Sequence, residues 1–443
     1  MEANQLRPAI REHVAKNKDH YINFLRDLIR FDSSVINQGL GGNEGQVQAW
    51  LAEQLKSMGC EVHVFEPDNS KMRGHRSFNP RHSYEERPNV VALWNGTNGG
   101  NHRSLVLNGH IDTMPMGEES AWSVHPLDGV IKDEYIIGRG AVDMKGGLAT
   151  AVMAMAVLQE IGVPLKGDVT LQSVVDEEGG GNGTLAACIE GYLGDGAVIL
   201  EATDFQICRA SRGAWQFGVR VPGKATHSSM KAEGSNAIDN AYGIVQVLYE
   251  LERKWLLTKH HSVMSKQTVV IGSINGGFGP SAMPGMCEIQ GVIEYLPAHM
   301  SFGEEILASG FEVQREVEEA VAIACQGHPF LKDHPVQIEW LQDCPPFYTA
   351  AQEPLVQLAA KTSEGIFGQA RVGGFMGGCD GRHFQYNGVP VIVWGPGDPI
   401  LAHAADERMK IEDYLKAIEF LAEFIVAWTE KRKECVGIGD RQE

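Results

Sequence analysis

Short β-branched runs alternate with stretches of helical periodicity along most of the chain. Residues 20–31 and 44–58 carry apolar side chains at helical spacing, and 61–65 reads as a strand. Strands are predicted at 89–94 and 104–108, then an Ala-, Met- and Leu-rich helix at 145–161. Further strands fall at 169–175, 197–200 and 389–394, with helices at 354–367 and 411–431. This alternation predicts an α/β fold with a doubly wound, mostly parallel sheet.

The middle of the chain has another rhythm. Residues 215–221 alternate as a strand does, and 237–255 is helical. Strands at 267–274 and 287–296 flank a Gly-rich turn, followed by a helix at 302–324 and a strand at 336–341. The order β-α-β-β-α-β is that of a ferredoxin-like α+β domain. The chain therefore divides into 1–210, an insert at 211–343, and 344–443. Residues 68–88 are polar and basic, with Lys71, Arg73, Arg76, Arg81 and Arg87. They read as a solvated loop insertion, with a flap that meets an anionic substrate as the alternative.

Composition narrows the partners. Lys and Arg total 38 against 57 Asp and Glu, a net charge of −19, while 43% of residues are hydrophobic. Nucleic acids and anionic membranes select basic surfaces, so neither is expected as a partner. The charged first thirty residues lack the apolar core of a secretory signal, and the apolar stretch at 149–158 is too short to span a bilayer. Eight scattered cysteines without a Cys-x-x-Cys pair read as reduced thiols, in keeping with a cytoplasmic protein.

The chemistry gathers at strand ends. The 104–108 strand runs into Gly109-His110-Ile111-Asp112, and 169–175 into Asp176-Glu177-Glu178-Gly179. The 197–200 strand runs into Glu201, and 389–394 into a loop with His403. Asp143 stands just before the 145–161 helix. Ligands of open α/β sheets bind at the carboxyl ends of strands, so these residues are predicted to share one rim. Imidazoles with carboxylates suit zinc, cobalt or manganese better than calcium. A bridging carboxylate can hold two such ions about 3.5–4 Å apart. In an extended His-x-Asp both side chains face one side, so Asp112 is placed to orient the ring of His110. Adjacent Glu177 and Glu178 diverge, which leaves one for metal and one as a base. Singly, each motif is a common surface turn; their combination, always at strand ends, favours a site.

At these residues the chain resembles the co-catalytic metallohydrolases that include aminoacylase, acetylornithine deacetylase, succinyl-diaminopimelate desuccinylase and the glutamate carboxypeptidases. The motifs are Gly-His-Ile-Asp-Thr at 109–113, Gly-Arg-Gly-Ala-Val-Asp-Met-Lys-Gly-Gly at 138–147, Asp-Glu-Glu-Gly at 176–179 and Ala-His-Ala-Ala-Asp-Glu at 402–407. The resemblance implies a zinc-peptidase-like catalytic domain with an inserted dimerisation domain. It implies two divalent ions, zinc first, with His110 and Glu201 on one, Glu178 and His403 on the other, and Asp143 between them. Glu177 would be the general base, Asp112 the orienter of His110, and the Asp143–Met144 peptide cis. The 223–229 segment matches a motif whose His, here His227, serves the partner subunit's site in a homodimer.

Substrate recognition departs from the family pattern. Arg382 matches a carboxylate-binding Arg of the desuccinylase, although an ion pair with a nearby acid explains it equally well. Ser281 stands in a segment where many relatives have Asn, and Glu294 where many carry Arg. The usual grip on an α-carboxylate is therefore not carried over to this chain: the substrate is held differently or bears a positive group there. The leading expectation is deacylation of a small-molecule N-acyl amino acid. Alternatives are deformylation of an N-formyl aminopyrimidine, or carboxypeptidase or dipeptidase activity. With every ligand position and the base filled, an inactive binding relative is the weakest reading.

Overall fold

The computed structural model describes residues 3–37, 40–80, 82–98, 100–297 and 304–433. Arg81, Phe302 and Cys435 lie outside them. The chain forms two compact units: 1–209 with 349–373 and 383–443, and 210–348 with 374–382. The second unit thus takes in a short segment, containing Arg382, that the 211–343 boundary leaves out.

The first unit is built on an eight-stranded sheet. Its order is Val372–Phe375, Ile207–Ser211, Val391–Val393, Ala197–Ile199, Leu105–His110, Val169–Val174, Asn89–Trp94, Glu61–Phe65. The four strands from Val391–Val393 to Val169–Val174 run parallel, with antiparallel neighbours at Ile207–Ser211 and Asn89–Trp94. Leu105–His110 and Val169–Val174 are buried at every position, as a strand covered on both faces must be. His110 pairs with Val174, so those two strands end level, while Ala197–Ile199 stops opposite Asn108 and leads into Glu201 at the same edge. That common edge carries the candidate site.

The Lys145–Glu160 helix is buried from Lys145 through Leu158 and packs against the Ala3–Ile29 and Ile411–Thr429 helices. Its first turn needs glycine: a Cβ on Gly147 would lie 1.9 Å from the Leu200 carbonyl oxygen. Lys145 Nζ donates to the carbonyls of Leu28 (3.0 Å) and Phe31 (2.8 Å), and burial pushes its pKa down to about 7. The first helix begins at Ala3, well before residue 20. Ile10 and Val14, four apart, face the core beneath the charged residues that hid this face.

Residues 68–88 correct the solvated-loop expectation. The segment holds a short helix, Asn69–Met72, capped by Asp68, and buries Met72, Ser77, Asn79, His82, Tyr84 and Arg87. Arg87 forms a buried ion pair with Glu44 at 2.6 Å.

The second unit is a four-stranded antiparallel sheet in the order Thr268–Gly276, Met286–Tyr295, Gly213–Pro222, Gln337–Cys344. Gly213–Pro222 buries alternate residues. Phe217, Val219, Ile289 and Ile293 pack with Ile244, Leu248 and Trp255 of one helix and Val313 and Val317 of the other. This is the split βαβ arrangement. Among the described residues no helix is long and apolar enough to cross a membrane, and all described cysteines are free.

Candidate active site

His110 ends its strand and is almost fully buried. Its Nδ1 donates to the Asp112 carbonyl oxygen at 2.8 Å, which aims Nε2 at Asp143 Oδ1 (3.1 Å) and Glu201 Oε1 (3.5 Å). The other Asp143 oxygen, Oδ2, lies 3.1 Å from His403 Nε2. His403 Nε2 is also 3.1 Å from Glu178 Oε1. One carboxylate thus stands between two imidazoles, each with a further acid beside it. The Asp143–Met144 peptide is cis.

Asp112 meets His110 with its main chain as well as its side chain. The ring of His110 is held by its main-chain carbonyl, while its carboxylate stands 3.5 Å from Nδ1. That carboxylate also accepts the backbone N–H groups of Glu177 (3.3 Å) and Glu178 (3.1 Å). One residue therefore fixes both the imidazole and the two-glutamate turn. His110, Glu177 and Glu201 each bring a ligand atom within 4.8 Å of the others, as do His110, Asp143 and Glu178.

The electrostatics suit cations. Burial and the neighbouring Asp143 push Glu201 up to about 7, and burial also raises Glu178 against its hydrogen bond with His403. Burial opposes ionisation of Asp143 too, yet the two imidazoles hold it well below the usual carboxylate range. Hydrogen bonds to Asp143 and Glu178 raise half-exposed His403 to about 10. Against burial, Glu201 and Asp112 hold His110 well above its ordinary value. Crowded acids and proton-holding imidazoles are what divalent ions would neutralise and displace. The donor set fits the implied metals.

Two supporting groups escaped the sequence reading. Glu407 Oε1 accepts the N–H groups of Val142 (2.7 Å) and Asp143 (3.0 Å), and Oε2 those of Gly140 (3.1 Å) and Arg139 Nη1 (2.7 Å). Its place in the 402–407 motif was the available signal. The second group is Asp176 with His82 and Tyr84, the latter two in the segment read as solvated.

The remaining expected site residues lie in the second unit. His227 is exposed, and its Nδ1 meets Ser229 Oγ at 2.8 Å. The Ser281 carbonyl accepts the Ser228 N–H at 3.0 Å. Burial raises the Glu294 pKa, with Arg212 opposing. Buried Arg382 donates to the Cys379 carbonyl at 2.7 Å and lies 3.4 Å from Asp380, the nearby acid of its ion-pair reading.

Residues 106–427 match the model of peptidase family M20/M25/M40. The chain belongs to that family. It is 29% identical over 443 residues to the N-formyl-4-amino-5-aminomethyl-2-methylpyrimidine deformylase of Halalkalibacterium halodurans, covering 95% of this chain and 97% of that one. A probable succinyl-diaminopimelate desuccinylase of Staphylococcus aureus is 27% identical over 379 residues, with 79% and 88% covered. The crystal structure of a Staphylococcus aureus tripeptidase superposes with a TM-score of 0.73 at 20% identity, over 94% of this chain and 99% of that one. The sheet and the mixed α/β architecture are those of the family. The chain is a metal-dependent amide hydrolase.

Proposed function

We propose that the chain hydrolyses the formamide of an N-formyl aminomethylpyrimidine, releasing formate and the free amine. Asp143 carries the hydrolytic part of this reading, with one oxygen toward His110 and the other toward His403. The choice of acyl group and amine is supported by near full-length likeness to the deformylase and by Glu294, at a position where the family resemblance implies a carboxylate-binding Arg.

His110, Glu201, Glu178, His403 and Asp143 are the residues that would hold two divalent ions, zinc first. When bound, the ions acidify water and polarise the amide carbonyl. Glu177 takes the proton of the attacking water as its oxygen bonds to the formyl carbon. It then delivers that proton to the nitrogen as the C–N bond breaks. Asp112 holds the Glu177 and Glu178 amides, and Glu407 holds that of Asp143, so the acids do not drift as charge develops.

We also propose a cytoplasmic homodimer formed through residues 211–343, with His227 of each chain serving the partner's site. Exposed Tyr242, Val270 and Ile274 of that unit support it. A fully active monomer by light scattering would contradict it. The substrate reading is tested by offering the metal-loaded protein the N-formyl pyrimidine, N-succinyl and N-acetyl amino acids, and dipeptides. Preferential formate release is expected; preference for a dipeptide or an N-acetyl or N-succinyl amino acid would contradict it.

A further inference from the structure

The Glu177 turn is gripped from two sides. Asp112 holds it from within the site by the amides of Glu177 and Glu178. The second grip comes from the 68–88 segment, which precedes the family match at 106–427. Asp176, the residue before Glu177, is fully buried in the left-handed backbone region at φ 69°. Its carbonyl accepts the Gly180 and Gly181 N–H groups at 3.0 and 2.6 Å, closing the turn.

The Asp176 carboxylate meets that segment. Tyr84 Oη donates to Oδ2 at 2.6 Å, and His82 Nδ1 lies 2.8 and 2.9 Å from the two oxygens. Asn79 Nδ2 donates to His82 Nε2 at 3.0 Å, so Nδ1 carries the hydrogen that Asp176 receives. Arg87 stands farther off, 3.7 Å from Oδ1. Asn79 adds a reciprocal pair with Asn182, N–H to Oδ1 at 3.0 Å and Nδ2 to carbonyl at 2.9 Å, and reaches the Gly179 carbonyl at 3.3 Å. His82 and Tyr84 are themselves buried.

A buried carboxylate loses much of its stabilisation when a donor is removed, and the backbone carrying it shifts to recover one. Here that backbone continues directly into Glu177. We propose that His82 and Tyr84 are positioning residues for Glu177, acting through Asp176; this rests on the reading of Glu177 as the general base. The 68–88 segment is then a strap on the catalytic turn. A base displaced by a fraction of an ångström transfers its proton poorly while substrate still binds.

The test uses the metal-loaded full chain and whichever amide of the panel it turns over fastest. Tyr84→Phe, which removes one oxygen, and His82→Ala are each expected to lower kcat about ten-fold, with KM and bound metal unchanged. His82→Asn, which returns an N–H donor near the Nδ1 position, is expected to recover most of that loss. In a Glu177→Ala background Tyr84→Phe should cost nothing further, because the two changes act on one step. The proposal is overturned if kcat stays within about two-fold of the parent, if bound metal falls in parallel, or if the loss persists without Glu177. Near-normal turnover by Glu177→Ala alone would overturn the general-base reading itself. A normal Tyr84→Phe beside a dead Glu177→Ala would overturn only the strap.

Discussion

Glu407 accepts the backbone N–H of Asp143 at 3.0 Å, and its other oxygen takes Arg139 at 2.7 Å. The residue between the two imidazoles is thus anchored by its main chain, which leaves both side-chain oxygens for the site. Burial raises the Glu407 pKa, and the amides of Asp143 and Val142 together with Arg139 oppose that. Glu407→Gln replaces one acceptor by an NH2 group facing N–H donors. Metal affinity should fall about 10–100-fold, as for other groups that orient metal ligands. Zinc titration with a competing chelator checks this; unchanged affinity would show that Asp143 needs no such anchor.

Gly147→Ala would drive a Cβ into the Leu200 carbonyl, one residue before Glu201. Both sides of this contact are buried backbone, so neither can yield cheaply. A loss of about 1–3 kcal/mol or more is expected, the usual range for overpacking. Denaturant unfolding of the metal-free protein measures it, and a stability within error of the parent would contradict the packing described.

The fold was legible where local chemistry and tertiary packing agree. The Pro354–Phe367 helix starts at a proline and stops at Gly368 in the left-handed region at φ 77°, so both ends are written locally. The convergence of His110, Asp143, Glu178 and Glu201 was legible because parallel strands end along one edge, which brings residues distant in sequence together. The strap was not. Its basic side chains look solvated in the sequence, yet Arg87 is neutralised by Glu44, forty-three residues away. His82 and Tyr84 face an Asp more than ninety residues on. Periodicity carries no sign of such partners. Asp112 shows the same limit: spacing placed it beside His110 but could not say which of its oxygens would take the ring.

Metal uptake should release protons at neutral pH. The folded pKa of His403, about 10, lies above the roughly 6.5 of an unfolded imidazole, so the metal-free site holds a proton there. The stabilisation from that proton is fully present below the unfolded value and is lost as pH rises through about 10. An ion needs the same nitrogen, so affinity should climb with pH across the neutral range. Zinc titration calorimetry in two buffers of different ionisation enthalpy reads the release directly. Identical heats in both buffers would contradict the assigned protonation.

The central claim is that Glu177 moves the proton in an amide hydrolysis run at this metal site. The most direct measurement is steady-state turnover of Glu177→Ala, with metal counted in the same samples. A loss of about 10²–10⁴-fold with metals retained is the predicted result. Near-normal turnover with metals bound would contradict it.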